Sequence, residues 1–173
     1  VVALFLTNSS LSQRITSVIN FTDSSTSYRI GIWKSTLKLL KDHIWLGIGV
    51  GESAFTTVFP YYAISGITSA FHSHSLYLQI LVENGIFALV IFLAIIFLFT
   101  QKTLSYTKNA ASLSNRVRVL GMLCSILAML IMGITDFVWY NYKIFLMFWS
   151  IIGLSVANIS FAKESIEENR ITY

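Results

Sequence analysis

The chain has 173 residues, of which 55% are hydrophobic and only 12% charged, with a single proline, a formal net charge of +4 and a mean hydropathy of +0.70. That is far more apolar than a soluble domain and excludes both a water-exposed globular enzyme and a disordered segment. One cysteine, Cys124, excludes a disulfide framework and a thiolate-bound metal.

What remains is an all-α membrane protein, a polytopic bundle of transmembrane helices with a large extracytoplasmic loop containing amphipathic helices. Residues 1–6 read as the end of a truncated transmembrane helix, because so short a block cannot cross a hydrocarbon layer of about 30 Å. With no initiator Met, the sequence reads as the C-terminal part of a larger polytopic protein. Residues 7–75 are then the extracytoplasmic loop, 76–100 a span, 101–118 a cytoplasmic loop, 119–135 a second span, 136–143 an outer loop, 144–162 a third span and 163–173 a cytoplasmic tail. The orientation rests on 101–118, which carries Lys102, Lys108, Arg116 and Arg118 and no acidic residue.

In the outer loop a Ser/Thr-rich stretch ends at Ser25–Ser27, any of which can cap a helix starting near Tyr28. Ile30, Trp33, Leu37, Leu40 and Ile44 recur at steps of three and four, with Lys34, Lys38 and Lys41 as a second stripe beside them. Such a helix either lies in the headgroup zone or packs on neighbouring membrane helices. "WLGIGVGESAF" follows. Its glycines 47, 49 and 51 match neither a dinucleotide fingerprint nor a Walker loop, and they suit a tight re-entry toward the membrane surface. "AFHSHSLYLQILVENGIF" then sets His72 and His74 at the lip of a span, with Ser75, Gln79 and Glu83 on one helical face. Gly85 marks either a break in that helix or close packing. Beyond the second span, Asp136 stands before Trp139, Tyr140 and Tyr142, an interfacial aromatic belt.

Arg29 with Trp33, "DHIWLGIGVGESAF" and "HSHSLYLQILVENGIFAL" together resemble the bacterial O-antigen ligase and O-antigen polymerase family of polytopic membrane glycosyltransferases. The family signature is His, then Asn, Ser or Gln, nine residues, Gly, two residues, and Gly, Thr or Tyr. His74, Ser75 and Gly85 fill its places, while Ala88 departs from the last. The resemblance implies glycosyl transfer on the outer face of the bacterial cytoplasmic membrane. The donor would be an undecaprenyl-diphosphate-linked glycan and the acceptor a glycan or a lipid-anchored core, with membrane lipids around them. No nucleic acid, cofactor or metal is expected.

The residue chemistry divides accordingly. Arginine offers a planar fork for phosphate oxygens, so Arg29 is the candidate for the diphosphate, with Lys34 and Lys38 of the same helix as further cations. Imidazole suits proton abstraction near neutrality, so His74 is the candidate general base, with His72, Ser75 and Glu83 in support. The two histidines could instead hold a metal together with His43, although no carboxylate or cysteine at ligand spacing supports that reading. Asp136 would contact acceptor, pair with Arg29 or cap its helix. The alternative function is a transporter or flippase fragment, which would place ionisable residues near mid-span.

Overall fold

The computed structural model describes residues 24–109 and 112–171, so the expected truncated span at 1–6 and the start of the outer loop lie outside the described residues. The described residues form five α-helices and no strand: α1 Ser24–His43, α2 Glu52–Val58, α3 Leu76–Asn109, α4 Leu113–Met132 and α5 Tyr142–Ile171. Two 3-10 turns, Phe59–Tyr61 and Val138–Tyr140, sit in the connections.

Three helices, α3, α4 and α5, are long and apolar enough to cross a membrane. Leu76, Phe92, Phe99, Leu123, Ile126, Leu130, Phe148 and Ile152 form the core that joins them. Phe87, Ile91, Phe97, Leu127, Ile131, Leu146 and Leu154 face outward from the same helices, the distribution expected of a bundle solvated by lipid tails. The chain is therefore an all-α polytopic membrane protein. The basic stretch 101–118 is mostly helical: α3 runs on to Asn109, and α4 starts behind Ser112, whose hydroxyl accepts the Asn115 amide.

At the opposite end, α1, α2 and the connections pack as a separate layer with its own core of Ile32, Leu39, Leu40, Phe55, Phe59 and Ile67, closed by Val82 of α3. Pro60 is the second residue of the Phe59–Tyr61 turn, its fixed φ suiting that position, and Phe55 and Phe59 stack with centroids 5.0 Å apart. α1 begins at Ser24, one turn before the expected start. Ser and Thr serve equally as caps and as first-turn residues, so pattern alone cannot separate the two. Its buried face is also rotated from the stripe read in the sequence. Ile32, Ser35, Thr36, Leu39 and Leu40 are covered, whereas Leu37 stays 53% exposed. Two small polar residues on that face explain the difference, because Ser35 satisfies itself on the Gly31 carbonyl and donates no polar signal to solvent.

The two layers are joined through backbone. Gly85 has φ 80° and ψ 179°, which breaks α3 and frees groups that a continuous helix would pair internally. The chain at 44–49 replaces them. The amide of Ile48 donates to the Val82 carbonyl at 2.8 Å, that of Gly49 to the Glu83 carbonyl at 3.0 Å, and the freed amide of Ile86 donates to the Ile44 carbonyl at 2.8 Å. A Cβ on Gly85 would lie 2.1 Å from the Trp45 carbonyl oxygen, and one on Gly47 2.5 Å from the Glu83 backbone, so only glycine permits the approach. Gly85 is thus both a helix break and a close contact. From Ile86 to Asn109 the straight part of α3 still covers roughly 36 Å, enough to cross a bilayer core.

Candidate functional site

The histidines are positioned by the docking of α3 onto the end of α4. The Leu76 amide donates to the Gly133 carbonyl at 2.7 Å, the Ser75 hydroxyl approaches the same oxygen at 3.4 Å, and the Tyr77 hydroxyl donates to the Leu130 carbonyl at 2.9 Å. A side chain at Gly133 would meet Leu76 Cβ at 2.9 Å. Past Gly133 the chain turns, with the Asp136 amide donating to the Met132 carbonyl at 3.1 Å. That turn lifts the Asp136 carboxylate to the lip where His74 stands, and His74 Nδ1 lies 3.5 Å from Asp136 Oδ1. The approach lacks hydrogen-bond alignment in this state, so the buried Nδ1 is close to a carboxylate without being bonded to it.

His74 holds a left-handed backbone, φ 50°, the one non-glycine residue with positive φ among those described. The conformation is pinned from both sides. Its carbonyl accepts the Trp33 indole N–H of α1 at 3.2 Å, and its amide donates to His72 Nδ1 at 3.2 Å. Strain of this kind persists only where the surroundings impose it, and it clusters at functional sites. Trp33 is thereby an anchor for the site rather than one more apolar contact.

The two imidazoles lie 4.2 Å apart, and the His72 ring also packs on Tyr140 at 4.8 Å and Phe137 at 5.7 Å. Burial, and then the charge of His74, drive the His72 pKa down to about 4, with Arg29 lowering it further and Asp136 and Glu52 pulling the other way. His72 is therefore neutral near pH 7. The influence of Arg29 shows that α1 carries its guanidinium to the same end of the molecule. Among the described residues Asp136 pairs with His74 and not with Arg29.

The other expected residues part company. Lys34 and Lys38 are exposed, and at 100° per residue they stand roughly 140° and 180° round α1 from Arg29, facing away from the histidines. Ser75 is buried and spends its hydroxyl on the Gly133 carbonyl. Glu83 is a brace: its Oε1 accepts the Gly51 amide at 3.1 Å and the Gln79 side-chain amide at 2.9 Å, and Gln79 Oε1 in turn accepts the Ser73 amide at 2.7 Å. His43 is engaged elsewhere, 3.4 Å from the Tyr62 hydroxyl.

Sequence reasoning missed Glu52 and Tyr140. The Tyr140 hydroxyl donates to Glu52 Oε2 at 3.1 Å across the mouth of a cleft of about 370 Å³, and this bond raises the Tyr140 pKa. His72, Phe71, Phe137 and Trp139 form other parts of the cleft wall. No signal of spacing could link Glu52 with Tyr140, 88 positions apart. His72, His74 and Asp136 offer three ligand atoms within 4.8 Å of one another, a donor set of the kind that binds zinc. The same atoms suit a base and its orienting carboxylate.

A family model described as O-antigen ligase matches residues 1–93, more than half of the chain and all of the histidine segment. Neither a curated protein nor a solved structure matches.

Proposed function

The chain belongs to the O-antigen ligase family, and from that premise we propose that it transfers a saccharide from an undecaprenyl diphosphate carrier to an acceptor hydroxyl on the outer face of the bacterial cytoplasmic membrane. His74 Nε2 takes the proton of the acceptor hydroxyl. The oxygen attacks the anomeric carbon, the bond from that carbon to the diphosphate oxygen breaks, and undecaprenyl diphosphate leaves with the electron pair. Asp136 steadies the imidazolium that forms, through Nδ1, in the manner of a base held by a third group. Arg29 meets the charge on the departing diphosphate.

The observation that carries this reading is the strained, doubly anchored His74 with its Nδ1 beside Asp136 at the mouth of a span. A lipid-linked substrate holds its diphosphate at that height, since its tail stays in the bilayer. The test is transfer of a lipid-linked oligosaccharide to acceptor by the purified full-length protein in nanodiscs. Absence of transfer in the presence of every lipid-linked donor class would sink the assignment.

Arg29→Lys keeps the charge but loses the fork. Transfer by this variant is expected to fall about tenfold to a hundredfold at normal expression. Full activity would reduce Arg29 to an electrostatic bystander.

The orientation has its own check. In a Cys124→Ser background, Ser65→Cys on the histidine side and Ser114→Cys at the start of α4 should differ toward an impermeant thiol reagent. Only Ser65→Cys is expected to react in whole cells, because the flanking cations of 101–118 hold α4's start in the cytoplasm. Labelling of Ser114→Cys alone would invert the topology.

A further inference from the structure

The cleft beside the histidines has a chemical character that the transfer mechanism does not use. His72 Nδ1 accepts the His74 amide, so that nitrogen carries the lone pair and the ring proton must be on Nε2. No described residue accepts from Nε2. His72 therefore presents an N–H donor to the cleft.

Facing it, Glu52 receives the Tyr140 hydroxyl on Oε2 alone, which leaves Oε1 to accept from a ligand. The Glu83 carboxylate lies deeper, already braced by Gly51 and Gln79. The rings of Phe71, Phe137 and Tyr140 supply flat apolar walls. Two carboxylates and no cation in the wall repel a diphosphate. A neutral polyhydroxylated ring fits all three features: its C–H face meets the electron-rich aromatic faces, one hydroxyl donates to Glu52, and one oxygen accepts from His72. At about 370 Å³ the space is at the small end of ligand pockets and suits one pyranose ring.

We propose that this cleft is the subsite for one sugar ring of the acceptor, with His72 Nε2–H and the Glu52 carboxylate as its polar contacts. The proposal rests on the glycosyl-transfer reading for the identity of the sugar as acceptor. The donor sugar is covalently next to the diphosphate and so cannot occupy a carboxylate-walled space. The His74 imidazole lies 4.2 Å from that of His72 in the cleft wall, so a ring held in the cleft has a hydroxyl brought toward the base.

Two measurements test it on the full-length protein in nanodiscs. In the transfer assay, His72→Phe keeps the ring stack but removes both the Nε2–H and the Nδ1 that anchors the His74 amide, so kcat falls as well; the acceptor KM is expected to rise about tenfold with donor KM unchanged. His72→Gln restores a donor near the Nε2 position and should recover most of that loss. Glu52→Gln should raise the acceptor KM by a similar factor. Unchanged acceptor KM in both His72→Phe and Glu52→Gln, at wild-type thermal stability, overturns the subsite. The second measurement is titration with a panel of methyl hexosides, read by tryptophan fluorescence, since Trp139 lines the cleft. Saturable quenching is expected in the wild type and in Arg29→Lys, lost in Trp139→Phe and weakened in Glu52→Gln. No saturable response to any hexoside, or one indifferent to Glu52→Gln, also overturns it. Saccharide binding without any transfer would leave the subsite standing and remove the transferase reading.

Discussion

His74→Ala is expected to cut glycan transfer by about 10² to 10⁴, the range that a positioned general base contributes. Membrane insertion is expected to be unaffected, because the two bonds that pin this position go to its main-chain carbonyl and amide, which alanine keeps, and the helices on either side are held by their own cores. Asp136→Asn falls in the same direction but less far. It keeps the shape of the turn after Gly133 and the Phe137 amide contact at 2.9 Å, while removing the charge that steadies the imidazolium. Chelators leave the wild-type rate unchanged under the base mechanism. A rate lost to chelator and restored by zinc would instead mark His72, His74 and Asp136 as ligands of an ion. Wild-type turnover by purified His74→Ala would remove the base assignment altogether.

Gly85→Ala is expected to be strongly destabilising, since among the glycines its added Cβ makes the closest approach. A φ of 80° with ψ of 179° is a region that only glycine occupies comfortably, and forcing another residue into it costs about 1–3 kcal/mol. The added methyl would also sit 2.1 Å from the Trp45 carbonyl oxygen, and that backbone cannot retreat without giving up the bonds at Ile48, Gly49 and Ile86. With the clash added, the loss is expected to reach about 4 kcal/mol, at the exceptional end for a point substitution. Because Gly51 and Glu52 sit just past the same connection, transfer should fall with stability. Gly121→Ala is the control: nothing lies within 4 Å of a Cβ there, and alanine favours the helix. Heating each variant in detergent and following the monodisperse fraction separates the two. A Gly85→Ala protein as stable as Gly121→Ala would show that the break in α3 is dispensable.

Much of the architecture is legible in the sequence because lipid imposes a simple rule: long apolar blocks become spanning helices. The three spans, and the membership suggested by His74, Ser75 and Gly85, could be read from composition and one short pattern. What escapes is everything set by contact across the chain. Asp136 reaches His74 only because Leu76 docks on Gly133, and no local periodicity encodes a bond between residues so far apart. Glu52 meets Tyr140 for the same reason. Proximity in sequence groups Lys34 and Lys38 with Arg29, but a helix separates such neighbours by angle, and both are exposed on other faces of α1. Hydropathy misplaces the packed face of α1 because it counts the buried Ser35 and Thr36 as solvent-facing.

The joint at Gly85 also governs what the outer layer is free to become. Its three bonds run between main-chain amides and carbonyls, and every residue except proline owns those groups whatever its side chain. The connection at 44–49 is therefore indifferent to the chemistry of most side chains it carries, apart from the glycine at 47, where crowding forbids a methyl, and the glycine at 49, whose φ of 101° disfavours any side chain. Residues such as Leu46, 83% exposed, can be exchanged without moving the seam. A joint sewn from backbone lets the layer that carries Glu52 drift in sequence while its distance to the spans stays put.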